Sequence, residues 1–148
     1  MFVGCDSMKN KKLILLIIFV SFLLIGCGKN ENVYECKKVD GNDTIDLTLT
    51  FDKDVISTID YKEVMTFGEM DAYIDIRYYE TKEKFETLKG VDGLTYSVKK
   101  KKKEIVVTAN ADYNNFKDDG FAFVTVTKNM NKNDALFNLM NSGYTCKQ

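Results

Sequence analysis

The stretch DTIDLTLTF, residues 43–51, alternates without a break. Ile45, Leu47, Leu49 and Phe51 fall on one side of an extended chain, and Thr44, Asp46, Thr48 and Thr50 on the other. A period of two over nine residues is the mark of a strand with one face in a core and one in water. The threonines favour the same reading, because β-branched side chains fit a pleated surface. Before it, Gly41-Asn42-Asp43 is turn chemistry, so Val33–Val39 and this strand are expected to pair as a hairpin. After it, Asp52-Lys53-Asp54 makes the next turn, and the run from Val55 to Phe67 supplies a third, longer strand. Three such strands in succession predict an antiparallel meander.

The period then changes. From Glu69 to Lys89, Met70, Tyr73, Ile74, the stem of Arg77, Tyr78, Phe85 and Leu88 recur at helical spacing. Glu80, Lys82, Glu83, Lys84 and Glu86 form the wetted face, and Gly90 stops the helix. LTYSVKK (94–100) and EIVVTANADY (104–113) alternate again, as a hairpin whose tip is the run Lys99–Lys103. FAFVTVT (121–127) reads as a strand or a buried loop segment. Near the end, Asn133 is placed to cap a short helix with Ala135, Leu136, Leu139 and Met140 inward and Gly143 as its stop. YTCK (144–147) closes the chain as a last strand. The expected class is α+β: an antiparallel meander carrying one long helix and one shorter C-terminal helix.

Ahead of this domain, Lys9, Lys11 and Lys12 precede an apolar run from Leu13 to Ile25 broken only by Ser21. As a helix the run would span roughly 20 Å, short for a hydrocarbon layer of about 30 Å. A basic start, a short apolar run and a small residue at its end form a signal-peptide pattern. Met8 is the expected true start, and Cys5 has no apolar run before it. Leu24-Ile25-Gly26-Cys27 resembles the bacterial lipobox. That resemblance implies a diacylglycerol thioether on Cys27, cleavage before it and acylation (palmitate, for instance) of the new amino terminus. More than one acyl chain is what stable membrane anchoring needs. An uncleaved anchor helix is the alternative. Residues 1–26 are thus read as a signal peptide, 27–32 as a lipidated tether, and 33–148 as the domain, on the extracytoplasmic face of a bacterial cell membrane.

Two cysteines are left for the domain, Cys36 in YECKK and Cys146 in YTCKQ. Disulfides persist in exported proteins, and two short neighbouring strands would bring these residues together. A structural disulfide closing the fold is the preferred reading. Free thiols or a redox pair are the alternatives, although redox pairs usually sit as C-x-x-C.

Composition limits the chemistry. The 148 residues contain no histidine and carry a net charge of −1. Losing residues 1–26 removes three lysines and Asp6, which leaves 18 basic against 21 acidic residues, or −3. This is no basic footprint for nucleic acid. Catalytic triads and dyads built on histidine are excluded, and no glycine-rich phosphate loop is present. Asp52/Asp54 and Asp118/Asp119 lack the alternating ligand spacing of a calcium loop. No catalytic residue, metal ligand or cofactor is assigned. The Lys99–Lys103 run is read as a solvated tip that protects a sheet edge, with anionic lipid or cell-wall polymer as the other reading. Tyr78 and Tyr79 cannot share one helix face, so one of them should meet solvent.

The order lipobox, YECK strand, meander, helix, hairpin, late helix and GYTCK resembles the small bacterial lipoproteins of the YehR type. The resemblance spans the layout of nearly the whole mature chain. It implies an α+β fold with helices on one side of an antiparallel sheet, and no catalytic residues. The expected function is a membrane-anchored lipoprotein acting as a binding or interaction module for an envelope protein or small ligand. A purely structural envelope lipoprotein or a carboxylate-dependent hydrolase is the alternative.

Overall fold

The computed structural model describes residues 32–68, 71–116 and 122–148. Residues 1–31, which include the expected signal peptide, Cys27 and most of the expected tether, lie outside the described residues, as do Met70, Asp118 and Asp119. Among the described residues the alternating segments become strands β1 (Val33–Asp40), β2 (Asp43–Asp52), β3 (Val55–Thr66), β4 (Leu94–Lys100), β5 (Glu104–Asp112) and β8 (Thr145–Lys147). They form one sheet in the order β4-β5-β3-β2-β1-β8. Every pairing in it is antiparallel. Helix α1 (Asp71–Glu86) joins β3 to β4, and α2 (Lys132–Asn141) precedes β8. Between them β6 (Ala122–Phe123) and β7 (Val126–Thr127) make a separate two-stranded hairpin. The expected α+β class with one long and one short helix is what the chain adopts.

The meander holds for β1, β2 and β3. It is then interrupted: α1 carries the chain across to the outer edge, where β4 lies, and β5 returns to fill the place beside β3. Long β3 can therefore pair on both sides, to β2 from Thr44↔Val64 and to β5 from Thr58↔Asp112. A bulge at Ser57 shifts the β2–β3 register between Thr50 and Phe51. The Ser57 hydroxyl donates to the Thr50 carbonyl oxygen at 2.9 Å, and the Ser57 carbonyl oxygen accepts from the Tyr113 N–H at 2.8 Å.

The alternation in β2 decides which face is dry. Leu47, Leu49 and Phe51 are buried, with Ile59 and Met65 from β3 and Ile105, Val107 and Ala111 from β5. Ile74 and Phe85 of α1 and Ala135 and Leu139 of α2 complete the same core. The other face is a polar ladder, in which Lys37 pairs with Asp46 at 3.6 Å and the Asn110 amide donates to Asp60 at 2.8 Å.

The short helix is capped two residues earlier than the expected Asn133. Asn131 is its cap, with its side-chain oxygen accepting from the Asp134 N–H at 2.9 Å. The reason is position: Lys132 is fixed next to the β2–β3 turn by a backbone bond to Asp54 of 2.7 Å and an ion pair of 3.4 Å. Starting at Lys132 turns Ala135 and Leu139 inward and leaves Met140 exposed, unlike the expected inward Met140. Gly143, at φ +89°, ends the helix as expected. Its N–H reaches the Met140 carbonyl and that of Tyr144 reaches Leu139, both at 3.0 Å, which is a Schellman closure.

That closure hands the chain to β8, where Cys146 lies directly opposite Cys36 of β1. The two form a disulfide with Cα atoms 4.0 Å apart, across 110 residues of sequence. Cys36 itself is buried in the core.

Candidate binding groove

Two stripes that should be apolar are not. On the dry face of β3 the sequence of inward positions is Ile59, Tyr61, Glu63, Met65. Glu63 sits in register between Ile45 of β2 and Val107 of β5. A charge in such a row is expensive unless something compensates it. Inward charges can protect an edge strand, but β3 is central, so that explanation fails. On α1 the inward stripe runs Ile74, Tyr78, Thr81, Phe85, continued by Leu88 in the turn that follows, and a threonine occupies the middle of it. Arg77 and Lys84 flank that threonine.

The two interruptions line one groove of about 510 Å³ between the sheet and α1. Apolar side chains fail to meet there, so the helix and sheet leave space instead of closing. Met65, Phe85, Leu88 and Val124 supply the apolar walls. Glu63 and Tyr61 lie on the sheet side, and Arg77, Glu80, Thr81 and Lys84 on the helix side. The volume is in the range of small-molecule sites, and an apolar lining with a few placed polar groups is their usual make-up.

The polar groups are arranged. The Tyr61 hydroxyl donates to Glu63 Oε2 at 2.7 Å, a short charge-assisted bond. Burial, then this bond and the Glu63 charge, push the Tyr61 phenol far above its ordinary range. Tyr144 is also raised, by burial first and the Glu63 charge second. Arg77 is held by Glu80 at 3.2 Å, one helical turn on. Among the described residues no lysine or arginine forms an ion pair with Glu63. Glu63 and Glu80 share the groove, but Glu80 is on its exposed rim.

The fourth wall is a strained turn. Val124 and Thr125 connect β6 to β7 with φ of +47° and +67°. Two-residue hairpin turns of this kind favour Asn and Gly, and β-branched residues there are outliers. The hairpin is held by buried Tyr113, whose hydroxyl donates to the Val126 carbonyl oxygen at 2.6 Å. The Lys128 ammonium also donates to the Phe116 carbonyl oxygen. Strain of this sort persists where the surroundings over-determine it, and it gathers at binding sites.

The residues singled out in the sequence lie elsewhere. Cys27 is outside the described residues, and Cys36–Cys146 fastens the far edge of the sheet. A hollow of about 850 Å³ beside that disulfide is lined by Glu35, Lys37, Asp46 and Lys147 together with Cys36, Val39, Leu47 and threonines of β2 and β8. It contains no inward polar group comparable to Glu63. Lys99 and Lys100 end β4, and Lys101–Lys103 turn the hairpin. Lys100 pairs with Asp75 of α1 and Lys101 with Glu104, so part of the run pins the helix to the hairpin. Tyr79 is 67% exposed and Tyr78 half-buried, as their adjacency requires. Asp54 anchors α2. Among the described residues no three Cys, Asp or Glu side chains gather as a metal-ligand set.

Glu63 was present in the sequence as a signal. Extending the period of two from Ile59 through Met65 places it inward, and the same test on α1 isolates Thr81. Neither stands out until β3 is known to be central and α1 to lie across it.

No protein-family model matches the chain, and no curated protein matches it. Among solved structures it is similar to the NMR structure of the E. coli YehR protein, with a TM-score of 0.62 at 13% identity. That match covers 78% of this chain and 90% of the other. The NMR structure of a protein from Streptococcus pneumoniae TIGR4 matches with a TM-score of 0.49 at 16% identity, over 82% and 88% of the two chains. The fold is YehR-like.

Proposed function

We propose that the chain is a lipid-anchored binding module of the bacterial cell envelope, with the groove between β3 and α1 as its binding site. Facing interruptions at Glu63 and Thr81 carry this reading. A core that sought only stability would place aliphatic side chains at both positions and close the gap. The anchor rests on the sequence: basic start, short apolar run and lipobox. On that reading residues 1–26 are removed, Cys27 carries lipid, and residues 27–32 tether the domain to the extracytoplasmic face. The module acts by binding rather than catalysis, and its partners are an envelope protein or a small ligand, not nucleic acid.

Two measurements test the two halves. Mass spectrometry of the mature protein from intact cells should find Cys27 as the amino terminus, heavier by a diacylglycerol and an acyl chain. Cys27 unmodified and still joined to Gly26 overturns the anchor. A thermal-shift screen of envelope metabolites should return compounds that raise the melting temperature of the full-length chain but not of Thr81→Trp, which fills the groove. Hits that are unaffected by Thr81→Trp place binding elsewhere. A second reading, a carboxylate-dependent hydrolase, draws on Glu63 and Glu80 sharing the groove; turnover of a bound compound, lost in Glu63→Gln, would select it.

A further inference from the structure

Glu63 also says what the groove should hold. The side chain is half-buried, its row neighbours Ile45 and Val107 are apolar, and among the described residues its hydrogen-bond donor is the Tyr61 hydroxyl at 2.7 Å. A carboxylate offers about four lone-pair sites. Tyr61 satisfies one of them. The cations around it are otherwise placed: Lys38, two strands away in the same row, lies over the Tyr144 ring at 5.9 Å, Arg77 is bound to Glu80 at 3.2 Å, and Lys84 stands at the solvent rim of α1.

The occupant's charge then follows from elimination. An anion entering the groove would meet Glu63 and Glu80 as like charges, with Arg77 already engaged by Glu80 and Lys84 at the rim. A neutral apolar occupant would strip water from the carboxylate and return nothing, which is the costly case. A donor that is itself positive restores what burial removes. The apolar part of the lining, Met65, Phe85, Leu88 and Val124, asks for hydrocarbon.

Accepting the groove as the binding site, we propose that it takes a small amine with an apolar body, its ammonium on Glu63 and its hydrocarbon against Met65, Phe85, Leu88 and Val124. Tyr61 is the positioning residue, since its hydroxyl holds the carboxylate through Oε2 and leaves Oε1 for the ammonium. The volume of about 510 Å³ accommodates an arylalkyl amine or a hydrophobic amino compound of similar size.

The test uses three near-isosteres, 3-phenylpropylamine, 3-phenylpropanol and 3-phenylpropanoate, titrated into the full-length chain labelled at methyl groups. NMR signals of Met65, Leu88 and Val124 report the groove. The amine should shift them saturably, with a Kd at least about tenfold below that of the alcohol, and the carboxylate should bind weakest. Glu63→Gln, which keeps size and most hydrogen bonding, should erase the advantage of amine over alcohol. The comparison of amine and alcohol on the unaltered chain needs no variant, so it stands even where Glu63→Gln perturbs folding. Alcohol or carboxylate binding in the groove as tightly as the amine overturns the ligand class and leaves the groove standing. Failure of all three to move the groove methyls overturns the groove as well.

Discussion

Glu63 is a residue the fold would be more stable without. Its carboxylate lies between Ile45 and Val107 on a central strand, where burial of a charge opposes folding. Glu63→Leu should therefore raise unfolding free energy by about 1 kcal/mol, the usual gain when a functional site is traded for packing. A urea denaturation midpoint measures it, and a lower midpoint would show that Glu63 is there for stability. Tyr61 makes a second prediction. Folding holds its proton more tightly than the unfolded chain does, because burial and Glu63 both disfavour the phenolate. This contribution is intact below the ordinary tyrosine value of about 10 and is lost as pH rises above it, because the unfolded chain releases a proton that the folded one keeps. Stability should fall steadily above about pH 10, and less steeply in Tyr61→Phe. Tyr144, raised for similar reasons, retains part of the slope in that variant.

At the scale of elements, two turns behave in opposite ways. Gly93, at φ +80°, opens β4, and a Cβ there would meet the Asp112 carbonyl oxygen at 2.5 Å. Gly93→Ala should cost roughly 2 kcal/mol or more, since both the backbone angle and the space refuse it. The β6–β7 turn is the reverse. Thr125, at φ +67°, is a β-branched residue where glycine is at ease. Thr125→Gly should stabilise by about 1 kcal/mol through released strain. Equal denaturation midpoints for Thr125→Gly and the parent would mean that the turn is unstrained. The helices differ too. Cap, Schellman closure and buried Ala135 and Leu139 specify α2 locally, whereas α1 divides its apolar residues between the core and water. Ile74 and Phe85 are buried, and Tyr73, Ile76 and Tyr79 are exposed. Its place is set by the sheet beneath it and by the pairing of Asp75 with Lys100.

At the scale of the molecule, the disulfide holds a short strand at an open edge. β8 has three residues and, among the described residues, pairs with β1 alone. Closing a loop of 110 residues is worth about 4–5 kcal/mol in the chain-entropy account, and removing a native bond typically costs 2–5 kcal/mol. The double variant Cys36→Ala/Cys146→Ala should lose about 3 kcal/mol. Its Thr145 and Lys147 amides should also exchange with solvent far faster than those of β2. Unchanged exchange at β8 would show that backbone pairing alone retains it.

How much of this was legible beforehand depends on the range of the interactions involved. The period of two in residues 43–51 specified a strand, its dry face and its hairpin partner, because alternation and turn chemistry act between residues close in sequence. The same holds for the stop at Gly143 and for the exposure of one of Tyr78 and Tyr79. The cysteine pair was also readable, since two residues remained and their flanks matched. The cap was misplaced by two residues because Lys132 answers to Asp54, far away in the chain. The groove lay beyond sequence for the same reason. Glu63 and Thr81 interrupt two separate patterns, and each alone is an ordinary polar residue. Only the crossing of α1 over the sheet, with β5 inserted beside β3, sets one interruption against the other. Local chemistry determined the elements; long-range packing decided which two flaws would share a wall and leave a cavity.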